Sequence, residues 1–301
     1  MKYPGITLGK IEALINCLNG MEVVDKLCSG ELTVSFKGSA LEIIEALKKL
    51  FDKNGRRIPE NLKAAVCDPN SGYFLKQPAI DYARSFSKGF EGTGLAANMS
   101  ASDFEETAKQ LIEELKADER TKNLLKGVYL PIIIPQTEIA DLGEAVEEFV
   151  GMAEKSYRKE FKKRNFTNHR KNDLKGKVTV VAGSRYEKLI EKMQKESVVG
   201  IYFPNPLQGF SVDAQREQMA ALPEGFSLSG PIDTAMGFAM YPELLGKDAT
   251  TPVYDCSAVQ WQSSGYSLNF GADDDDADFG SGSNLSDADD YCSGGLLFVK
   301  G

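Results

Sequence analysis

The 301-residue sequence predicts an α+β protein: a small helical N-terminal region followed by a mixed α+β domain. Three observations predict it. Apolar residues recur at helical spacing in several stretches before residue 125 and again over 142–164. Runs rich in β-branched and aromatic residues concentrate after residue 126. Near the C-terminus two such runs, 257–270 and 296–299, bracket a polar segment, 271–292. With 42% hydrophobic and 26% charged residues, the composition is that of an ordinary globular chain.

Residues 1–36 read as a compact helix–helix–strand module. Ile11, Leu14, Ile15 and Leu18 share a helical face that Asn19-Gly20 closes. Val23, Val24 and Leu27 form a second short helix ended by Ser29-Gly30, and residues 31–36 alternate as a strand. The unit suits docking better than DNA binding, because Lys10 and Lys26 face Glu12, Glu22, Asp25 and Glu31. Residues 37–125 read as a helical scaffold. Ser39 and Glu42 form a capping box for a helix with Leu41, Ile44, Leu47, Leu50 and Phe51 on one face, ended by Asn54-Gly55. Residues 59–66 suggest another helix. Ser102 and Glu105 form a second capping box, for a helix with Phe104, Leu111, Ile112 and Leu115 on one side. No motif for chemistry occurs in 1–125.

The remainder, 126–301, is the predicted main domain. Residues 127–135 form a strand in which Pro131 demands an edge or a bulge. A long helix, 142–164, carries Val146, Phe149, Val150, Ala153 and Tyr157 on one side. Its end and the following segment are basic, from Lys155 through Arg170 to Lys177. A nucleic-acid surface is one reading of 155–177; cations complementing a helix C-terminus is the favoured one. His169, the single histidine, has no second ligand nearby and receives no role. Strand 177–182, helix 186–194 and strand 198–203 lack the G-x-G-x-x-G and Walker patterns of phosphate sites. Residues 204–211 read as a rigid proline loop, with Ser211 capping a helix over 212–221. Residues 226–245, punctuated by Gly230-Pro231, Gly237 and Tyr241-Pro242, read as a long loop region. Trp261 reads as a core anchor whose strand packs against 296–299.

The polar segment 271–292 is GADDDDADFGSGSNLSDADDYC. Its eight acidic residues are all Asp, although the rest of the chain has 24 Glu and 12 Asp. It contains no Lys, Glu, Gln, Met or Trp, and it carries eight of the nine net negative charges. A solvated turn-rich loop is one explanation. A Ca²⁺ loop is another, but the EF-hand spacing fails for want of its Glu, so no metal is expected. The third is codon-level: every residue type present has a codon ending in a pyrimidine, whereas Lys, Glu, Gln, Met and Trp, all absent, have none. Randomising the adenines of AAC or AAT, the Asn codons, yields this palette.

This pattern resembles the variable proteins of diversity-generating retroelements, in which adenine-directed mutagenesis rewrites codons near the C-terminus of a C-type-lectin-like domain. The resemblance covers 200–301 and rests on composition and element order. The segment 200–211, GIYFPNPLQGFS, is also similar to one in proteins of unknown function. The resemblance implies a C-type-lectin-like α+β domain over 126–301 that binds a ligand rather than catalysing a reaction. It implies a diversified binding surface at Asp278, Gly280, Ser281, Gly282, Ser283, Asn284, Ser286, Asp287, Asp289, Asp290, Tyr291 and Cys292, with Leu285 and Ala288 turned inward. The ligand would be a protein or surface, basic if it complements the Asp residues. No cofactor is implied. The alternatives are an enzyme, with Cys256 and Cys292 in the role of the cysteines of sulfatase-activating relatives of the lectin-like fold although their spacing matches no such motif, or a Ca²⁺- or nucleic-acid-binding protein. A Ser/His/Asp set cannot be assembled around one His.

Five scattered cysteines without a C-x-x-C pair argue against a disulfide scaffold or zinc site. No apolar run reaches bilayer length and no signal-peptide core follows Lys2, so a cytoplasmic location is expected.

Overall fold

A computed structural model describes residues 8–18, 20–37, 40–45, 49–91, 98–262 and 265–300. By contacts the chain divides into Met1–Lys49 and Leu50–Gly301. In the first unit, helices α1 (Leu8–Cys17) and α2 (Met21–Ser29) precede an antiparallel hairpin of β1 (Leu32–Lys37) and β2 (Ala40–Glu45). Helix α2 ends on Gly30 at φ 81°, whose N–H donates to the Leu27 carbonyl. The helix expected after Ser39 is therefore corrected: Leu41 and Ile44 lie on a strand. The apolar spacing of Ala-Leu-Glu-Ile-Ile-Glu fits either state, and pairing with β1 decides it. Ser39 and Leu47 lie outside the described residues.

The second unit is mixed α and β around a twisted sheet. Helix α3 (Tyr82–Phe90), not foreseen, is capped by Asp81, which accepts from the Arg84 N–H at 3.0 Å. Helix α4 (Ala101–Ala117) buries Phe104, Leu111, Ile112 and Leu115 as expected. Its capping box is Ser100 with Asp103 rather than Ser102 with Glu105. No helix forms over 59–66. Strand β3 (Leu130–Ile134) lies at the sheet edge, the position Pro131 requires. Helix α5 (Leu142–Glu160) starts at Asp141, whose carboxylate accepts from the Glu144 N–H at 2.9 Å. It buries Val146, Phe149, Val150, Ala153 and Tyr157.

Strand β4 (Asn165–Asn168) follows, then β5 (Val178–Val180), α6 (Tyr186–Met193), β6 (Val198–Gln208) and α7 (Val212–Gln218). The expected proline loop is corrected: β6 continues through Pro204 and Pro206, which sit in a register shift where Phe203 pairs with Leu296 and Leu207 with Gly294. The Ser211 cap holds, its hydroxyl accepting from the Ala214 N–H at 3.2 Å. Residues 226–245 are not a long loop. They form β7 (Phe226–Leu228), the wholly buried helix α8 (Pro231–Met240) and α9 (Pro242–Leu245).

The final strands are β8 (Val253–Asp255), β9 (Val259–Trp261), β10 (Tyr266–Ala272), β11 (Asp276–Asn284) and β12 (Cys292–Val299). The main sheet has the order β3-β6-β12-β8-β10-β11-β4, with β7 also paired to β12. Strand β12 pairs antiparallel with β6 and β7 and parallel with β8. This correction matters: Trp261 lies on β9, which pairs with β5 in a separate two-stranded sheet and not with β12. The core continues from α8 into the last hairpin. Phe238 stacks on Phe270 at 5.0 Å between ring centroids, and Phe270 meets Phe279 at 4.8 Å. Among the described residues no helix is long and apolar enough to cross a membrane.

Candidate functional site

The polar segment is a β-hairpin for more than half its length. Residues 273–276 close the turn between β10 and β11. The Asp273 N–H donates to the Asp276 carbonyl at 2.9 Å, and the Asp273 carboxylate accepts from the N–H groups of Asp275 and Asp276 at 2.8 and 2.9 Å. Those hydrogen bonds hold the Asp273 carboxyl below its ordinary range. Turn chemistry thus accounts for Asp at 273. It does not account for the other Asp residues.

Strand alternation then sorts β11. Ala277 and Phe279 are buried, with Phe279 opposite Phe270. Asp278 sits opposite Gly271, and Gly280 opposite Asn269. On the other side β4 runs parallel to β11 and brings Thr167 beside Asp278. The His169 N–H donates to the Phe279 carbonyl at 2.9 Å, extending this contact past β4. A cavity of about 550 Å³ results. It is lined by His169, Arg170, Asn269, Asp278 and the stretch Gly280–Ser281–Gly282, with Val253 and Gly271.

Each polar wall has a defined orientation. The Asn269 amide donates to the Ser283 hydroxyl at 2.9 Å. The Arg170 guanidinium lies 4.4 Å from the centre of the Trp261 ring and 3.6 Å from the Asp173 carboxylate. Its Nε is buried without an acceptor. Burial pushes the Asp278 carboxyl up, His169 opposes that shift, and Asp273 reinforces it. Trp261 is half-buried: it packs against the core, as the sequence suggested, and carries Arg170 over its ring.

The glycines of this cavity differ from those behind it. A Cβ at Gly271, Gly280 or Gly282 would meet its nearest atom at 3.4, 3.6 or 3.6 Å, ordinary contact, and none of the three has a positive φ. A Cβ at Gly294 would lie 2.2 Å from Gln215, and one at Gly295 2.8 Å from Ser229. The open glycines fall in the compositionally peculiar segment, and the closed ones in β12.

The other expected site residues are placed differently. Ser283 and Cys292 are buried. Ser283 and the Gln215 amide, 2.8 Å away, hold the buried Asp255 carboxyl, which burial still pushes up to about 6. Asn284 forms a turn, its side-chain oxygen accepting from the Ser286 N–H at 3.0 Å. Ser286 and Asp287 are exposed. The Asp290 carbonyl accepts from Asn70 N–H and from the Gln208 amide, both at 3.0 Å, and the Tyr291 ring lies 5.5 Å from that of Tyr73. Asp290 and Tyr291 therefore lean on the 70–73 loop, while the Tyr291 carbonyl accepts from the N–H of Val253 at the cavity wall at 3.0 Å. Leu285 and Ala288 are half-buried.

The sequence reading gave His169 no role, placed Arg170 only in the basic stretch, and did not single out Asn269 or Gly271. Asn269 and Gly271 were legible in principle, since they share a face of β10 at i, i+2 and the hairpin register sets them opposite Gly280 and Asp278. For His169 and Arg170 no local signal exists.

Cys256 and Cys292 are free and buried, and burial pushes both thiols up, the opposite of a reactive cysteine. Much of the basic stretch is engaged locally: Arg158 with Glu154, Lys159 with Glu91, Lys175 with Glu144, and Lys177 with Asp173. Among the described residues no three His, Cys, Asp or Glu side chains gather as a metal site. Comparison of the chain with known protein families, curated proteins and solved structures finds no match.

Proposed function

We propose that this chain is a ligand-binding protein, not an enzyme, and that it displays a diversified surface on the β10–β11 hairpin and the segment leading to β12. The finer fold reading, a C-type-lectin-like domain over 126–301, belongs to the same proposal. The observation that carries it is the glycine floor of the cavity. At Gly271, Gly280 and Gly282 no φ is positive and an added Cβ would meet its neighbours only at ordinary contact distance, so small side chains fit there without disturbing the core. Behind them the Phe238–Phe270–Phe279 stack holds the hairpin rigid, as a display surface needs. The exposed Tyr291 and the Asp, Ser and Asn residues are contact types found in paratopes. Asp274, Asp275 and Asp287 are exposed carboxylates that favour a basic partner.

Two measurements test this. A substitution scan of 257–301 read by folding should be flat at Gly280, Ser281, Gly282, Ser286, Asp287 and Tyr291 and deep at Phe270, Phe279 and Phe298. Sharp losses at Asp278, Asp287 and Asp290 together would mean a fixed structural network and end the diversified reading. The flanking DNA should contain a near-repeat of the 271–292 coding segment, differing at adenines, beside a reverse transcriptase gene.

A further inference from the structure

A second cavity, of about 310 Å³, lies between α6, the entry to β7 and the end of β12. Leu189, Phe226 and Val299 supply its apolar wall, and Arg185, Lys188, Lys192 and Lys300 supply cations against the single carboxylate of Glu224. The cations differ in what they already do. Arg185 donates to the carbonyls of Met219, Leu222, Pro223 and Phe226 and so builds the wall. Lys192 donates to the Lys300 carbonyl at 2.7 Å. Lys188 is exposed and, among the described residues, has no acidic partner. The wall also contains Ser227, 4% exposed, whose hydroxyl has no hydrogen-bond partner. That hydroxyl is fully buried, so the accessible polar groups of the cavity are its charged side chains. A mostly apolar cavity with a few polar groups is the usual form of a small-molecule site.

We propose that this cavity binds a medium-chain carboxylic acid, with its hydrocarbon tail against Leu189, Phe226 and Val299 and its carboxylate accepting from Lys188 at the rim. The charge at the rim selects an anion and the wall selects an alkyl chain. The site is independent of the hairpin surface and stands whether or not that surface is diversified.

The test titrates the full chain with sodium octanoate, 1-octanol and octylammonium, followed by methyl NMR of Leu189 and Val299. Octanoate should give saturable shifts at both residues, with octanol weaker and octylammonium without effect. Lys188→Glu, at an exposed position, should weaken octanoate about tenfold or more, a difference of roughly 1.4 kcal/mol. Lys195→Glu, outside the cavity, should leave it within about twofold, which separates a local contact from a general charge effect. Absence of saturable shifts, equal binding of octanoate and octylammonium, or equal loss in the two lysine variants would overturn the proposal. Unchanged melting curves show that the variants fold.

Discussion

Adding one methyl group to Gly280 and to Gly294 should have opposite consequences. At Gly280 the new Cβ would sit 3.6 Å from the Asn269 side-chain oxygen and 3.7 Å from His169 Cδ2. Nothing must move, and φ is in the ordinary range. Gly280→Ala should therefore change stability by about ±0.5 kcal/mol, shaded toward a gain because alanine restricts the unfolded chain. At Gly294 the Cβ would lie 2.2 Å from Gln215 Oε1 and 2.4 Å from its Cδ. Gln215 cannot yield cheaply, since its amide donates to the Phe210 carbonyl at 3.0 Å and to Asp255 at 2.8 Å. Overpacking costs about 1–3 kcal/mol, and a buried carboxyl stripped of its donor adds roughly 1–3 kcal/mol. Gly294→Ala should thus lose about 2–5 kcal/mol, seen as a fall in Tm of roughly 5–15 °C for a unit of this size. Urea and thermal unfolding of the two variants provide the assay. A loss above about 2 kcal/mol at Gly280, or a neutral Gly294→Ala, would refute the distinction between an open hairpin face and a closed central strand.

Three further outcomes are expected. Burial raises the Asp255 carboxyl to about 6, so the folded state holds more protons than the unfolded one between about pH 4 and 6. Stability then falls as pH rises through that window, by roughly 2–3 kcal/mol from this group. Asp255→Asn should reduce the slope, and urea midpoints at pH 4.5 and 7.5 that move as in the parent chain would contradict this. Arg170→Gln should redden the emission of Trp261, the single tryptophan, and cost about 0.5–1 kcal/mol; unchanged fluorescence would show that the guanidinium does not cover the ring. Truncation after Ser293 removes the buried Leu296, Leu297 and Phe298 from the strand that links β6, β7 and β8. The cooperative unfolding transition should disappear, and a truncated chain that melts normally would contradict the central place of β12.

Several elements were readable from local chemistry alone. The stripes of α4 and α5, the Ser211 cap and the edge position imposed by Pro131 each follow from interactions within a few residues or from a missing N–H. The bracketing of a peculiar polar segment by two strands was legible for the same reason. Elsewhere the chain offered two local solutions and distant contacts chose between them. Residues 40–45 carry a pattern compatible with helix or strand, and the β1 partner settles it. Pro204 and Pro206 signal a break and do fall in a register shift, yet β12 pairs with β6 on both sides of it and β3 pairs with Val198–Tyr202, so the strand continues. Helix α8 is buried on every side, so it shows no amphipathic period from which it could be recognised. The cavity beside Asp278 depends on tertiary structure most of all. His169 and Arg170 reach it only because β4, more than a hundred residues earlier, adds in parallel to β11. Parallel pairing at that separation leaves no trace in either segment, because it is decided by what each strand buries against the core.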